Sequence, residues 1–220
     1  MDDLLDDLGN REKEIKEYFK LIKFIEGETI SKSDGEKFDV SPLLIKTLKG
    51  AVFLILYNLI ESTMREAISA IHDSISSSNH GYDDVRVELQ KELWRRARNN
   101  NITLEDIVSE ASGGVSLNFH IATFNAKNLF SGNITRDEIK KIAKIYGFKE
   151  KTDAKKTAKG ERLEEVKNNR NDLAHGNKTF SGVGSVNTIS ELEDLYSTII
   201  HYIYEIVDNI MDCVDRKQYQ

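Results

Sequence analysis

A chain of 220 residues that is 39% hydrophobic and 31% charged has the composition of a soluble globular protein and not of a disordered one. Its single cysteine, Cys213, excludes an internal disulfide, and no Cys/His cluster has zinc spacing, so a reducing, cytoplasmic setting without a metal or cofactor is expected. The net charge of −6 argues against indiscriminate nucleic-acid binding, but it is unevenly distributed: residues 140–170 hold eleven Lys or Arg against five Asp or Glu.

One proline and thirteen glycines leave few obstacles to long helices, which identifies an all-α protein. The acidic start, Met1 to Leu8, lacks the basic and apolar regions of a signal peptide. Residues 10–26 read as a first helix, with Ile15, Phe19, Ile22 and Ile25 on one stripe. From Gly27 to Val40 there is no period, and a loop or short extended stretch is expected.

Ser41 and Pro42 announce a second helix to about Ile75, Ser as N-cap and Pro at the first helical position. Its apolar run, Ala51 to Ile60, is broken by Asn58 and is about half a membrane span, so no membrane partner is expected. Asn58, Glu61 and Arg65 share a stripe. Glu61 and Arg65 read as an ordinary pair; the sharper expectation is that Asn58 or Glu61 supports an arginine elsewhere in the bundle, since buried polar groups need partners.

After the polar break at residues 76–82, a third helix is expected over Asp83 to Asn99, ending in Arg95, Arg96 and Arg98. Thr103 to Glu110 reads as a short helix and Gly113-Gly114 as a turn, while Ser116 to Phe130 fits either a strand or an irregular segment. Thr135 with Glu138 forms a capping box and Gly147 ends that helix. Residues 149–160 lack an apolar stripe and are expected to be an exposed, mobile connection. The whole chain, 1–220, reads as one domain in which residues 80–155 form an inserted helical subdomain.

The next helix begins near Gly160 and ends in Asn168-Asn169-Arg170-Asn171-Asp172-Leu173-Ala174-His175-Gly176, with Gly176 as its C-terminal cap. Arg170 and His175 are separated by roughly 7.5 Å of rise and about 140° of rotation in a regular helix, so one copy aims them apart and a groove between two copies is favoured. Upstream, Lys155, Lys156, Lys159 and Lys167 make an ordinary solvated face or, beside this motif, a phosphate-facing one. A Gly/Ser-containing loop leads to a last helix capped at Thr188 or Ser190, whose seam runs from Leu192 to Ile210.

An Arg, a polar residue and a His at the end of a late helix resemble the hallmark of the HEPN superfamily of helical nucleases; Arg170, Asn171 and His175 match it. The resemblance implies an antiparallel four-helix HEPN bundle with additional helices inserted between the second and third core helices. It further implies a homodimer and metal-independent endoribonuclease activity on RNA in a toxin-antitoxin or antiviral defence setting, with a cognate antitoxin as a further partner. Arg170 would bind the scissile phosphate, His175 would move the proton, and Asn171 would orient His175 or touch phosphate. One branch carries a modified Tyr two residues beyond the His, where this chain has Asn177. The other readings are a noncatalytic HEPN module that binds RNA or nucleotide and a helical protein-interaction scaffold.

Overall fold

Ser41 and Pro42 start the helix against which the others pack. In the computed structural model, which describes residues 2–31, 33–109, 114–130 and 132–220, the Ser41 hydroxyl accepts a hydrogen bond from the Leu44 N–H at 3.2 Å. Helix α2 (Pro42–Ser77) then runs 36 residues. By length and composition it could cross a membrane, a property the shorter Ala51–Ile60 run did not reveal. Here its apolar residues, among them Phe53, Leu56, Ile60, Met64 and Ile68, are buried in the core.

Helix α1 (Asp2–Ile25) begins earlier than the apolar stripe from Ile15 predicts. Leu4 and Leu8 extend that stripe by two turns and are buried, while acidic residues nearby suit the positive end of a helix dipole. The next segment forms a small antiparallel hairpin, β1 (Thr29–Ser31) with β2 (Lys37–Asp39), Ile30 opposite Phe38.

Between the second and third members of the bundle come α3 (Val87–Asn99), α4 (Leu104–Ser109), α5 (Val115–Thr123) and α6 (Arg136–Tyr146), before the strap described below. Helix α3 starts at Val87, since Tyr82–Asp84 form a 3₁₀ turn and Val85 is extended. The Gly113 half of the expected turn lies outside the described residues. The segment from Ser116 is helical as far as Thr123, where α5 buries His120 and Thr123 one turn apart, a helical repeat that the partial alternation of Phe119, Ile121 and Phe124 obscured; from Phe124 to Phe130 it is irregular around a 3₁₀ turn at Ala126–Asn128.

Buried contacts tie these helices to α2. His72 of α2 meets His120 Nε2 at 3.2 Å through Nδ1 and the Tyr146 hydroxyl at 2.8 Å through Nε2. Its ring stacks on Phe124 with centroids 3.5 Å apart. The three groups sit away from water, and burial holds both imidazoles neutral, with His120 lowered to about 4 and Tyr146 pushed up to about 12. A single cluster of buried residues runs through α2, these helices and the rest of the bundle.

Residues 149–160 are an ordered strap. Helix α7 (Ala154–Thr157) lies along the last helix, α10 (Ile189–Asp215). The Asp153 N–H donates to Glu205 at 2.6 Å, Asn209 donates to the Lys151 carbonyl at 3.2 Å, and Thr157 is fully buried. A short polar strap needs no apolar stripe when backbone groups bind a neighbouring helix. Gly160 follows with φ 77°, packed so tightly on Tyr202 that a Cβ there would lie 2.7 Å from the ring.

Helix α8 (Arg162–Ala174) comes next. The expected loop after it contains another helix, α9 (Phe180–Gly184), that crosses α2 backbone to backbone. A Cβ on Gly184 would lie 1.9 Å from the Lys46 carbonyl oxygen, and one on Gly50 would lie 2.2 Å from that of Phe180. Two glycines, each on a different helix, make this approach possible. Thr188 caps α10 with a reciprocal Glu191 capping box, and Leu192, Leu195, Ile199, Ile203, Ile206 and Ile210 are all buried. Helices α1, α2, α8 and α10 form the bundle, an all-α fold with almost no sheet.

Candidate active site

The motif occupies the last turn of α8 and the cap beyond it. Leu163, Val166 and Leu173 anchor the helix in the core, leaving Arg170 and Asn171 half-buried at its edge. His175 is the C-cap residue and Gly176 follows with φ 71°. The Asn177 N–H donates to the Asp172 carbonyl at 2.8 Å and the Gly176 N–H to that of Leu173 at 3.2 Å. This paired closure is a Schellman motif, and it sets the direction in which the chain leaves His175.

Arg170 is held by an aromatic ring. Its guanidinium carbon lies 4.5 Å from the centroid of Tyr57 on α2, close enough for a cation–π interaction. Nη1 also donates to Asn171 Oδ1 at 2.9 Å, and Asn171 Nδ2 donates to Asn133 Oδ1 at 3.1 Å. The segment before α6 forms the opposite wall: a Cβ on Gly132, φ 75°, would lie 3.3 Å from Arg170 Nη1. Ile134 N–H in turn donates to the Tyr57 hydroxyl at 3.2 Å.

The support expected from α2 is therefore only partly where the sequence placed it. Asn58 is exposed, in a surface depression with Arg11, Glu14 and Ile15, and its side chain forms no hydrogen bond to Arg170. Its neighbour Tyr57 faces the motif instead, because one helical position turns a side chain by about 100°. Glu61, one turn on from Tyr57, pairs with Arg65 at 2.5 Å. Its charge bears on the Tyr57 phenol, and through that ring only indirectly on Arg170. Burial and then Glu61 raise that phenol, while Ile134 N–H and Arg170 oppose the shift.

His175 is exposed and, among the described residues, has no side-chain partner. It does not touch Arg170. Beside it, Asp172 pairs with Lys178 at 2.6 Å, which holds its carboxyl below the usual range. His72 and His120 are buried in the α2–α5–α6 network, His80 meets Gln220, and His201 binds the Ser197 carbonyl. Tyr196 and Tyr204 donate to Glu12, and Tyr202 is buried.

The basic window stands apart from the motif. Lys155, Lys156 and Lys159 are exposed on the strap that leads into α8, at the opposite end of that helix from His175. Lys167 pairs with Glu164 at 2.5 Å. The charge excess seen in sequence thus belongs to α6 and the strap, since α8 itself sets Arg162, Lys167 and Arg170 against Glu164, Glu165 and Asp172.

Tyr57, Asn133 and Gly132 were missed in the sequence. Tyr57 lay inside an apolar run and read as core, though its spacing to Glu61 placed both on one stripe; nothing local marked Asn133.

No curated protein and no solved structure matches this chain. The family described as HEPN_MAE_28990-like HEPN matches residues 1–219. An all-α bundle carrying an Arg, Asn and His at the capped end of its third core helix, with that match over nearly the full chain, makes this protein a member of the HEPN_MAE_28990-like family of HEPN domains.

Proposed function

We propose that this protein is a metal-independent endoribonuclease whose site is completed between two copies. The observation that carries this reading is the contrast between Arg170, fixed over Tyr57 with no carboxylate paired to it among the described residues, and His175, presented at a hydrogen-bonded helix cap with no side-chain partner among them. A bidentate guanidinium suits a phosphate whose charge grows during reaction. An imidazole, titrating near neutrality in its ordinary state, suits proton transfer.

In this reading Arg170 clamps the scissile phosphate and Asn171 fixes the guanidinium plane. His175 takes the 2′-hydroxyl proton or returns one to the leaving 5′-oxygen. Attack by the 2′-oxygen breaks the P–O5′ bond and leaves a 2′,3′-cyclic phosphate and a 5′-hydroxyl. DNA, lacking the 2′-hydroxyl, is not cut. The separation of Arg170 and His175 within one chain favours a homodimer in which Arg170 of one copy and His175 of the other act on one phosphate. Family membership favours a role in toxin-antitoxin or antiviral defence, with a cognate antitoxin restraining the activity.

The test is cleavage of mixed RNA in EDTA by the wild type, Arg170→Ala and His175→Ala, with end-group analysis. The reading expects a cyclic phosphate product and a loss of at least about a hundredfold in each variant. Absence of cleavage by the wild type, or undiminished cleavage by His175→Ala, overturns it.

A further inference from the structure

A groove of about 1190 Å³ opens between α3, α4 and α5, and its lining shares no residue with the Arg170 cluster. Its walls include Val87, Trp94, Leu104 and Val115, which are 56%, 58%, 68% and 73% exposed. Contiguous apolar exposure of this kind marks an interaction surface on a globular protein. The Trp94 indole is fixed in place: its N–H donates to the Tyr82 hydroxyl at 2.9 Å, and its ring lies 4.9 Å from that of Phe119.

The rim is basic in a protein of net charge −6. Lys91 and Arg98 line the groove on the same α3 stripe as Val87 and Trp94, and neither has an ion partner among the described residues. Arg95 adds a guanidinium tied to Glu92 at 2.6 Å, and Asp83 supplies the one carboxylate of the lining.

We propose that this groove docks an amphipathic helix of a partner protein, its apolar face on Trp94, Leu104 and Val115 and its acidic flank against Lys91 and Arg98. Helix-in-groove recognition uses an apolar trough of this kind, with apolar residues of the guest spaced three and four apart. Two other occupants fit less well. A second copy meeting the groove face to face would set the basic rim against itself. Single-stranded RNA would match the charge, but Trp94 alone offers a broadly exposed ring, and Leu104, Val87 and Val115 give bases nothing to stack on. The proposal is independent of the nuclease reading.

Trp94 is the chain's only tryptophan, so its emission reports directly on the groove. The full chain is titrated with a synthetic amphipathic helix of Leu and Glu, a Leu/Lys counterpart, a Ser/Glu peptide of equal charge and oligouridylate. The expected result is a saturable blue shift with the Leu/Glu helix alone. Leu104→Ser, at an exposed position, should weaken that binding by about tenfold or more with unchanged circular dichroism. Arg98→Glu should shift preference toward the Leu/Lys helix. Failure of the Leu/Glu helix to bind, equal binding of the Ser/Glu or Leu/Lys peptide, or a shift produced by oligouridylate overturns the proposal. So does a blue shift that grows with protein concentration in the absence of any probe, since that identifies self-association through this face.

Discussion

The guanidinium of Arg170 rests on the ring of Tyr57 and not on a carboxylate, which fixes its position without neutralising its charge. Pairing with Glu61 would have blunted its attraction for phosphate; Glu61 pairs with Arg65 instead. Two substitutions separate ring from hydroxyl. Tyr57→Phe keeps the cation–π face and should keep RNA cleavage within a few-fold of wild type, whereas Tyr57→Leu should lower it by roughly 3- to 30-fold, measured as kcat/KM. Equal rates in the two variants would remove the ring from the account. A second prediction concerns the buried imidazoles. Burial lowers His72 and His120, the latter from 6.5 to about 4. Between pH 6.5 and about 4 the unfolded chain therefore binds more protons than the folded one, so stability is full above 6.5 and declines as pH falls through this window. Tm followed by circular dichroism should drop on acidification, and His120→Gln should flatten that dependence while lowering Tm at pH 7. Arg170, Asn171 and His175 were legible in the sequence because their types and spacing carry chemistry; Tyr57 was hidden because a buried aromatic looks the same whether it packs or positions.

Three glycines show why helices end and cross where they do. At Gly176, φ is 71° and a Cβ would meet nothing within 4 Å, so Gly176→Ala should cost only the conformational penalty, about 1–2 kcal/mol, while loosening the cap that holds His175. At Gly184 and Gly50 the obstacle is steric, because a Cβ would drive into the backbone of the opposing segment. Gly184→Ala should therefore destabilise by about 1–3 kcal/mol or more in urea unfolding and release α9 from α2. A smaller loss for Gly184→Ala than for Gly176→Ala would contradict this packing. The Gly176 cap and the Thr188 capping box could be read locally, since both act within a turn of their own residue. Helix α9 could not, because its glycines are explained only by α2, more than 100 residues earlier in the chain. The strap at residues 149–160 was misread for the same reason: its order comes from Glu205 and Asn209.

The long helix α2 joins the two ends of the molecule, with the His72 network near one end and α9 crossing near the other, and Tyr57 between them. One continuous core should unfold in a single cooperative transition, and fluorescence of Trp94 on α3 should coincide with loss of helix by circular dichroism. The proposed composite site makes a separate demand. Light scattering at micromolar concentration should give about twice the 25.1 kDa chain mass. Mixing inactive Arg170→Ala with inactive His175→Ala should then restore part of the activity, because mixed dimers regain one complete site; a monomer, or no recovery on mixing subunits known to exchange, would argue against it. What the sequence determined by itself was the all-α class, the bundle helices with their local caps and the Arg-Asn-His motif, since helical periodicity, capping and residue chemistry are written within a few turns of chain. The tertiary structure decided which residue supports Arg170, that the strap is docked, that α9 exists and that Lys155, Lys156 and Lys159 belong to that strap and not to α8. Each depends on contacts between segments distant in sequence, and a residue's neighbours across a bundle are set by packing that no local pattern encodes.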